Sequence, residues 1–308
     1  MFLTITLNPA LDKFVYAPDF AVGEVNPIEI RQTLAAGRGV YAAKVLRDLG
    51  HPVTVSGLLG HNHSTQFQRL FVAKGINDAF TRIQGNSRTN IHMIDAKGNE
   101  TELLEPAPEV TEKEWSRFLE RLGQILEGCD MVAVCGSVPP SITPQMFSTM
   151  LSVIDTYRLP VLIDTQDKML DVACAKRPKL IKFNRERIRK QLGKKQCTSE
   201  EIVTYADALV KMGVENVLVS LDKDGAMLIC KEGAYRSDAP AVEINSTIGC
   251  GDAMVASIAE SISNGRTPEE MLRHAMAISS ANCMTDENAK IILSDYHDLL
   301  DKVTITKL

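Results

Sequence analysis

Four stretches of this 308-residue chain are continuous apolar runs closed by small or polar residues: MVAVCGS from Met131, PVLIDTQ from Pro160, KLIKFN from Lys179 and NVLVSL from Asn216. A strand with one wet face alternates apolar and polar side chains, whereas a strand buried on both faces reads as these do. Amphipathic stretches of helical period accompany them, at 112–127, 143–157, 199–213 and 268–284. The first quarter repeats the order. FLTITL is followed by RGVYAAKVLRDLG, closing on Gly50, then by PVTVSGLLG and by STQFQRLFVAKG, closing on Gly75. Both glycines stand where a helix C-cap needs a left-handed residue. Strand, helix, strand in repetition predicts a three-layer α/β/α fold with a mostly parallel central sheet.

Two segments break that rhythm. Residues 13–34 and 88–108 read as β segments with turns and little helix, the second with DAKGN as a hairpin turn. We expect one domain over 1–308, carrying these segments as a small inserted sheet. Open α/β sheets bind ligands beyond the C-terminal ends of their strands, where such a sheet serves as a lid.

Composition excludes several classes. The net charge of −5 gives no general attraction for nucleic acid or membrane, and no partner of either kind is expected. The densest basic run, KRPKLIKFNRERIRKQLGKK, reads as a solvated surface helix. MFLTITLNPALD lacks the basic start and long apolar core of a signal peptide, and no apolar window is long enough to span a bilayer. The seven cysteines are scattered, with no C-x-x-C pair, which fits free thiols in a reducing cytoplasm better than a disulfide frame or zinc site.

The chemistry concentrates in STIGCGDAMVASIAES, residues 246–261. Gly249 and Gly251 bracket Cys250, Asp252 follows, and an apolar helical pattern begins at once. A helix start offers unpaired amides and a positive dipole end, and glycines let a ligand approach them closely. A carboxylate beside such an anion nest makes sense as a base that deprotonates an attacking hydroxyl while the amides stabilise a migrating phosphoryl group. A second helix start, AAGRGVYAAK, places Arg38 between Gly37 and Gly39. The chain has neither the G-x-x-x-x-G-K-S/T of a P-loop nor a G-x-G-x-x-G after its first strand.

Taken together, TLNPALD (6–12), AAGRGVYAAKVLRDLG (35–50), SRTNI (87–91), GSVPPSI (136–142), KFN (182–184), VSLDKDGA (219–226) and STIGCGDAMVA (246–256) resemble the ribokinase-like, or PfkB, sugar kinases. Within that family they are most similar to the 1-phosphofructokinase and tagatose-6-phosphate kinase branch, and the resemblance runs almost end to end. It implies ATP-dependent, Mg²⁺-assisted phosphorylation of a phosphorylated ketose. Asp252 would be the base, with the amides of Gly249, Cys250 and Gly251 as the anion hole. Asp12, Gly37, Arg38, Tyr41, Arg88, Asn90 and Gly136 would meet the sugar phosphate. Lys182, Asn184, Ser220, Asp222, Gly225, Thr247, Gly249, Gly251 and Asn282 would surround the nucleotide. Mg²⁺ would enter on the ATP phosphates, near Glu186. Relatives dimerise through their lids, and Val15, Val22, Ile28 and Ile30 permit a homodimer here.

The chain departs from the pattern at four positions. Tyr41 replaces an asparagine that touches sugar, Arg187 a glutamate that helps organise Mg²⁺, Cys250 a smaller residue, and His92 a lysine common in 1-phosphofructokinases. Two other readings therefore stand beside the phosphosugar kinase: a catalytically weak sugar-phosphate-binding protein, and a kinase of an unphosphorylated sugar.

Overall fold

The computed structural model describes residues 1–165 and 167–308. Its elements follow in chain order. They begin with β1 (Phe2–Thr6), β2 (Ala10–Tyr16), β3 (Glu29–Ala36), α1 (Arg38–Asp48), β4 (Val53–Gly60) and α2 (Ser64–Lys74). Next come β5 (Asn77–Asp78), β6 (Thr81–Ile83), β7 (Arg88–Ile94), β8 (Glu100–Leu104), α3 (Glu112–Leu126), β9 (Met131–Gly136) and α4 (Pro144–Asp155). The chain continues through β10 (Val161–Thr165), α5 (Leu170–Ala175), β11 (Leu180–Asn184), α6 (Arg185–Gln191), α7 (Ser199–Lys211) and β12 (Asn216–Ser220). It ends with β13 (Ala226–Cys230), β14 (Gly233–Ser237), α8 (Cys250–Ser263), α9 (Pro268–Cys283), α10 (Leu293–Leu300) and β15 (Ile305–Lys307).

The large sheet has the order β5-β4-β1-β9-β10-β11-β12-β13-β14-β15, with β6 also on β4. It is parallel from β5 to β12. Its last three strands turn antiparallel, an edge that the sequence reading did not foresee. Strand period two divides the core cleanly. Met131, Ala133 and Cys135 face a layer of α1, α2, α8, α9 and α10. Val132 and Val134 face α3 to α7. These are the expected three layers. The basic run divides in two: Leu180–Asn184 is a buried strand, and only Arg185–Gln191 is helix.

The second sheet has the order β3-β2-β7-β8. It starts three residues earlier than expected, because β2 begins at Ala10. Asp12 therefore belongs to the small sheet, not to the end of the first core strand. β3 runs to Ala36 and hands the chain directly to Gly37 and α1.

Helix starts differ: α4 and α6 take a single side-chain cap from Thr143 and Asn184, and α2, α5 and α10 have none. α3, α7 and α9 each open with a complete capping box, Thr111–Glu114, Thr198–Glu201 and Thr267–Glu270. Their first amides are thereby satisfied within the chain. α1 and α8 open on Gly37 and Gly249, with no side-chain cap. At α8 the Cys250 amide makes a long 3.4 Å bond back to Thr247 O, and the amides that have no partner at these two ends are available to a ligand.

Candidate active site

Asp164 closes the apolar run of β10 and Lys182 the corresponding position of β11, both on the sheet face that carries α1 and α8. Asp164 is wholly buried, and three cations hold it. Arg38 donates to its Oδ2, Lys182 Nζ lies 3.6 Å from the same oxygen, and Arg187 lies 3.4 Å from Oδ1. Arg38 also reaches Asp252, with Nε 3.1 Å from Oδ1. Three cations thus share two carboxylates, leaving the cluster with a surplus of positive charge in the setting where charge counts most.

The two carboxyls are driven apart by their neighbours. Burial pushes both up. Around Asp164 the charges of Arg38, Lys182 and Arg187 outweigh burial and hold it below the ordinary carboxylate range. Asp252 feels burial first, is only partly relieved by Arg38, and is pushed further by Asp164, so its pKa rises to about 6. A buried carboxylate tuned toward neutrality, beside a second that stays ionised, is the pattern of an acid–base group with its electrostatic support. Burial also lowers Lys182, against the pull of Asp164.

The turn before α8 is shaped for close approach. Gly249 has φ 89°, and a Cβ there would lie 2.8 Å from the Ala289 side chain and 2.9 Å from its backbone nitrogen. A Cβ on Gly251 would lie 2.7 Å from Lys182 Nζ, so the bare glycine lets the ammonium pack against the first turn of α8. Gly136, at φ 103°, packs beside the Arg38 stem. A cleft of about 770 Å³ opens from this cluster. It is lined by the charged groups Arg38, Lys182 and Asp252, by Gly249, Cys250 and Gly251, and by Asn184, Ser220, Asp222, Gly225 and Thr247. Ala239, Val242, Ile244, Met254 and Met276 add apolar lining. A cleft of this size that offers both charged and apolar walls suits a ligand with an anionic part and an apolar part.

A second polar group forms where the small sheet meets α1. Asp12 accepts from Tyr41 Oη at 2.9 Å and from Asn90 Nδ2 at 2.8 Å, and His92 Nε2 lies 3.6 Å away. Contact with Asp12 raises His92 above its ordinary range in spite of burial. Tyr41 is also pushed up, first by burial and then by Asp12. Arg38 and Tyr41 lie three residues apart on the first turn of α1, so one helix start serves both carboxylate groups. Asn8 Oδ1, Arg88 Nε, Asn90 Oδ1 and His92 Nε2 are buried here without a hydrogen-bond partner. Buried polar atoms are normally satisfied, and this concentration of orphans marks a place prepared for a polar ligand.

Most of the expected residues thus fall into these two groups, and two do not behave as expected. Asn282 is fully buried and does not line the cleft. It donates to Ile248 O and Cys250 Sγ, each at 3.1 Å, and so braces the turn from behind. Glu186 is engaged by Arg189 and Lys190 on the outer side of α6. Its carboxylate does not fit a Mg²⁺ role, and among the described residues no group of three or more His, Cys, Asp or Glu side chains could hold a metal. Asn184 does line the cleft, while its Oδ1 caps α6 through Arg187 N at 2.9 Å. Asp164 was overlooked. Its signal was a carboxylate ending a run buried on both faces, where a charge must be paired or put to use.

A model of the pfkB family carbohydrate kinases matches residues 6–290. The 1-phosphofructokinase of Haemophilus influenzae is 32% identical over 308 residues, 99% of this chain and 98% of that protein. The 1-phosphofructokinase of Escherichia coli K12 is 33% identical over 277 residues, 90% of this chain and 89% of that protein. The fold is that of phosphofructokinase-2 from Escherichia coli, with a TM-score of 0.90 at 21% identity over 98% of both chains. With a buried carboxylate at a glycine-capped helix start and a family match over nearly its whole length, the chain belongs to the pfkB carbohydrate kinases, phosphotransferases that act on an alcohol group.

Proposed function

We propose that this protein uses ATP to phosphorylate a hydroxyl of a ketose phosphate, converting fructose 1-phosphate to fructose 1,6-bisphosphate. The observation that carries this reading is Asp252, buried, at about 6, between the uncapped start of α8 and the cations Arg38 and Lys182. The names of the sequence relatives support fructose 1-phosphate as the acceptor. Tagatose 6-phosphate, giving tagatose 1,6-bisphosphate, is the second candidate.

On this reading the nucleotide lies in the cleft with its phosphates toward Lys182 and the amides of Gly249, Cys250 and Gly251. Mg²⁺ carried on those phosphates would offset their charge. The sugar phosphate lies between Asp12 and Asp252. Asn8, Asn90 and His92 present their free polar atoms to its hydroxyls, and Arg88 meets its phosphate. Ionised Asp252 takes the proton of the acceptor hydroxyl. Lys182 and Arg38 stabilise the charge that spreads over the migrating phosphoryl, which costs little because they are already in place. Arg38 must then loosen from Asp252 as the substrate arrives.

The small sheet would act as the lid. Ile30 on β3, and Val22, Val25 and Ile28 in the loop between β2 and β3, are exposed and available to a second copy. Val15 is not, since it packs inward with Ala17 and Met93. No described helix is long and apolar enough to cross a membrane, and the free cysteines support a cytoplasmic setting.

The test is ADP release with MgATP against a panel of sugars and sugar phosphates. Turnover on fructose 1-phosphate or tagatose 6-phosphate is expected. Turnover confined to neutral sugars would overturn the assignment of the acceptor. The engagement of Asp252 by Arg38 and of Asp12 by Tyr41 favours a second reading, a weak or inactive sugar-phosphate binder. Thermal stabilisation by the panel without turnover would establish that reading instead.

A further inference from the structure

Of the seven cysteines, five are isolated. Cys129, Cys135, Cys174 and Cys230 are buried, and burial pushes each thiol up. Cys197 is half-buried. Cys250 and Cys283 differ. They come from opposite ends of two packed helices, Cys250 as the first residue of α8 and Cys283 as the last of α9. Their Sγ atoms are 2.9 Å apart. Both are half-buried and both line the cleft, so a small oxidant that enters the cleft meets both sulfurs.

We propose that Cys250 and Cys283 form a reversible disulfide that switches off phosphoryl transfer. A disulfide requires sulfurs about 2.05 Å apart, so the pair needs to close by less than about 1 Å. The hydrogen bond between the two thiols lowers Cys283 and raises Cys250. Cys283 is therefore the first nucleophile and Cys250 the resolving thiol. With a hydroperoxide as oxidant, the Cys283 sulfur attacks one oxygen and the O–O bond breaks. The departing alkoxide takes the thiol proton and leaves as an alcohol, or as water from hydrogen peroxide. Cys283 is then a sulfenic acid, oxidised by two electrons. The Cys250 sulfur attacks it, the S–S bond forms, and the expelled hydroxide leaves as water with the Cys250 proton. Two thiols and one hydroperoxide thus become one disulfide, one alcohol and one water.

The consequence follows from where Cys250 sits. Its amide belongs to the turn that faces the cleft, and Asn282 already ties its sulfur and the Ile248 carbonyl to α9. A covalent link to Cys283 would fix this turn to the end of α9. The turn could then no longer adjust around an arriving phosphoryl. The activity arm of this inference rests on the proposed role of the turn; formation of the bond does not, and the experiment separates them.

The purified protein is treated with hydrogen peroxide and then alkylated, and its peptides are mapped by mass spectrometry with and without dithiothreitol. A cross-linked peptide pair containing Cys250 and Cys283, lighter by two hydrogens and restored by dithiothreitol, is expected. Turnover on the best substrate is expected to fall at least ~10-fold, short of the ~10²–10³-fold that loss of a whole anion-hole donor costs, and to return on reduction. Cys283→Ser is expected to escape the reversible loss. Failure of the cross-link to form under conditions that oxidise Cys197 would overturn the site. A cross-link with turnover unchanged would overturn the switch while leaving the kinase reading intact. Because the peptide map uses the unaltered protein, it decides the first point even if Cys283→Ser does not fold.

Discussion

Replacing Arg38 by methionine keeps most of the apolar stem and removes the charge that restrains Asp252. The guanidinium Nε lies 3.1 Å from Asp252 Oδ1. At an effective dielectric of about 20, unit charges that close attract by roughly 5 kcal/mol. That is an upper figure, because Arg38 divides its attention with Asp164. Carboxyls that lose an adjacent cation typically move by about 1–3 pH units. The direction is fixed: without the cation the neutral carboxyl is favoured, so the pKa rises from its present value of about 6. Asp164 does not reverse this. It keeps Lys182 at 3.6 Å and Arg187 at 3.4 Å, stays ionised, and continues to push Asp252 upward.

A base works when ionised, so the acid limb of kcat/KM should fall away below about pH 6 in the native protein, where Asp252 gains its proton. In Arg38→Met the limb should move up by about 1–3 units. The assay is ADP release across the pH range in which both proteins remain folded. The absolute rate of the variant should fall as well, since Arg38 is proposed to face the phosphoryl, but the position of the limb does not depend on its height. A limb that stays where the native one lies would refute the claim that Arg38 sets the ionisation of Asp252. Linkage gives a second reading of the same group. Its folded pKa is raised, so its stabilising contribution is complete below the ordinary carboxylate value and is lost as pH climbs through about 6. In Arg38→Met that loss should extend to higher pH in thermal melts, and an unchanged pH dependence would count against it.

Three further outcomes are expected. Asp252→Asn should lower kcat by at least ~10²-fold with the fold retained by circular dichroism, and an unaltered kcat would remove Asp252 as the base. Arg88→Ala should raise KM for a phosphorylated acceptor by about 10- to 100-fold, the range expected for losing a charge-assisted contact, with no such change for ATP; an unaltered KM would take Arg88 out of the site. Gly249→Ala places a Cβ 2.8 Å from the Ala289 side chain at a φ of 89°, and should cost roughly 2–4 kcal/mol from backbone strain and overpacking together, read as a lower urea midpoint; a native midpoint would show that the turn yields freely.

What the residues announce in advance is local, and what they conceal is pairing across the fold. The parallel sheet could be read because burial on both faces leaves a mark in each strand separately, as in Met131–Gly136 and Asn216–Ser220. The two glycine-capped helix starts could be read because glycine at 37 and 249 is a local requirement of a tight approach. The antiparallel edge left no such mark, since Ala226–Cys230 is as apolar as its parallel neighbours and its direction depends on the turn before it. Side-chain partnerships were least legible. Tyr41 reads as a bulky replacement for an amide, yet its hydroxyl reaches Asp12, 29 residues away in sequence, and completes a hydrogen-bonded group. Arg38 reads as a grip for substrate phosphate, yet it spans 126 and 214 residues to meet Asp164 and Asp252. Such contacts are decided by how the strands order themselves, and strand order is a property of the whole sheet. Arg187 follows the same logic. Its charge is unexpected where the resemblance implies a glutamate, but Asp164 is buried beside it and needs a cation. Arg187 therefore adds to the positive surplus around Asp164 and Asp252.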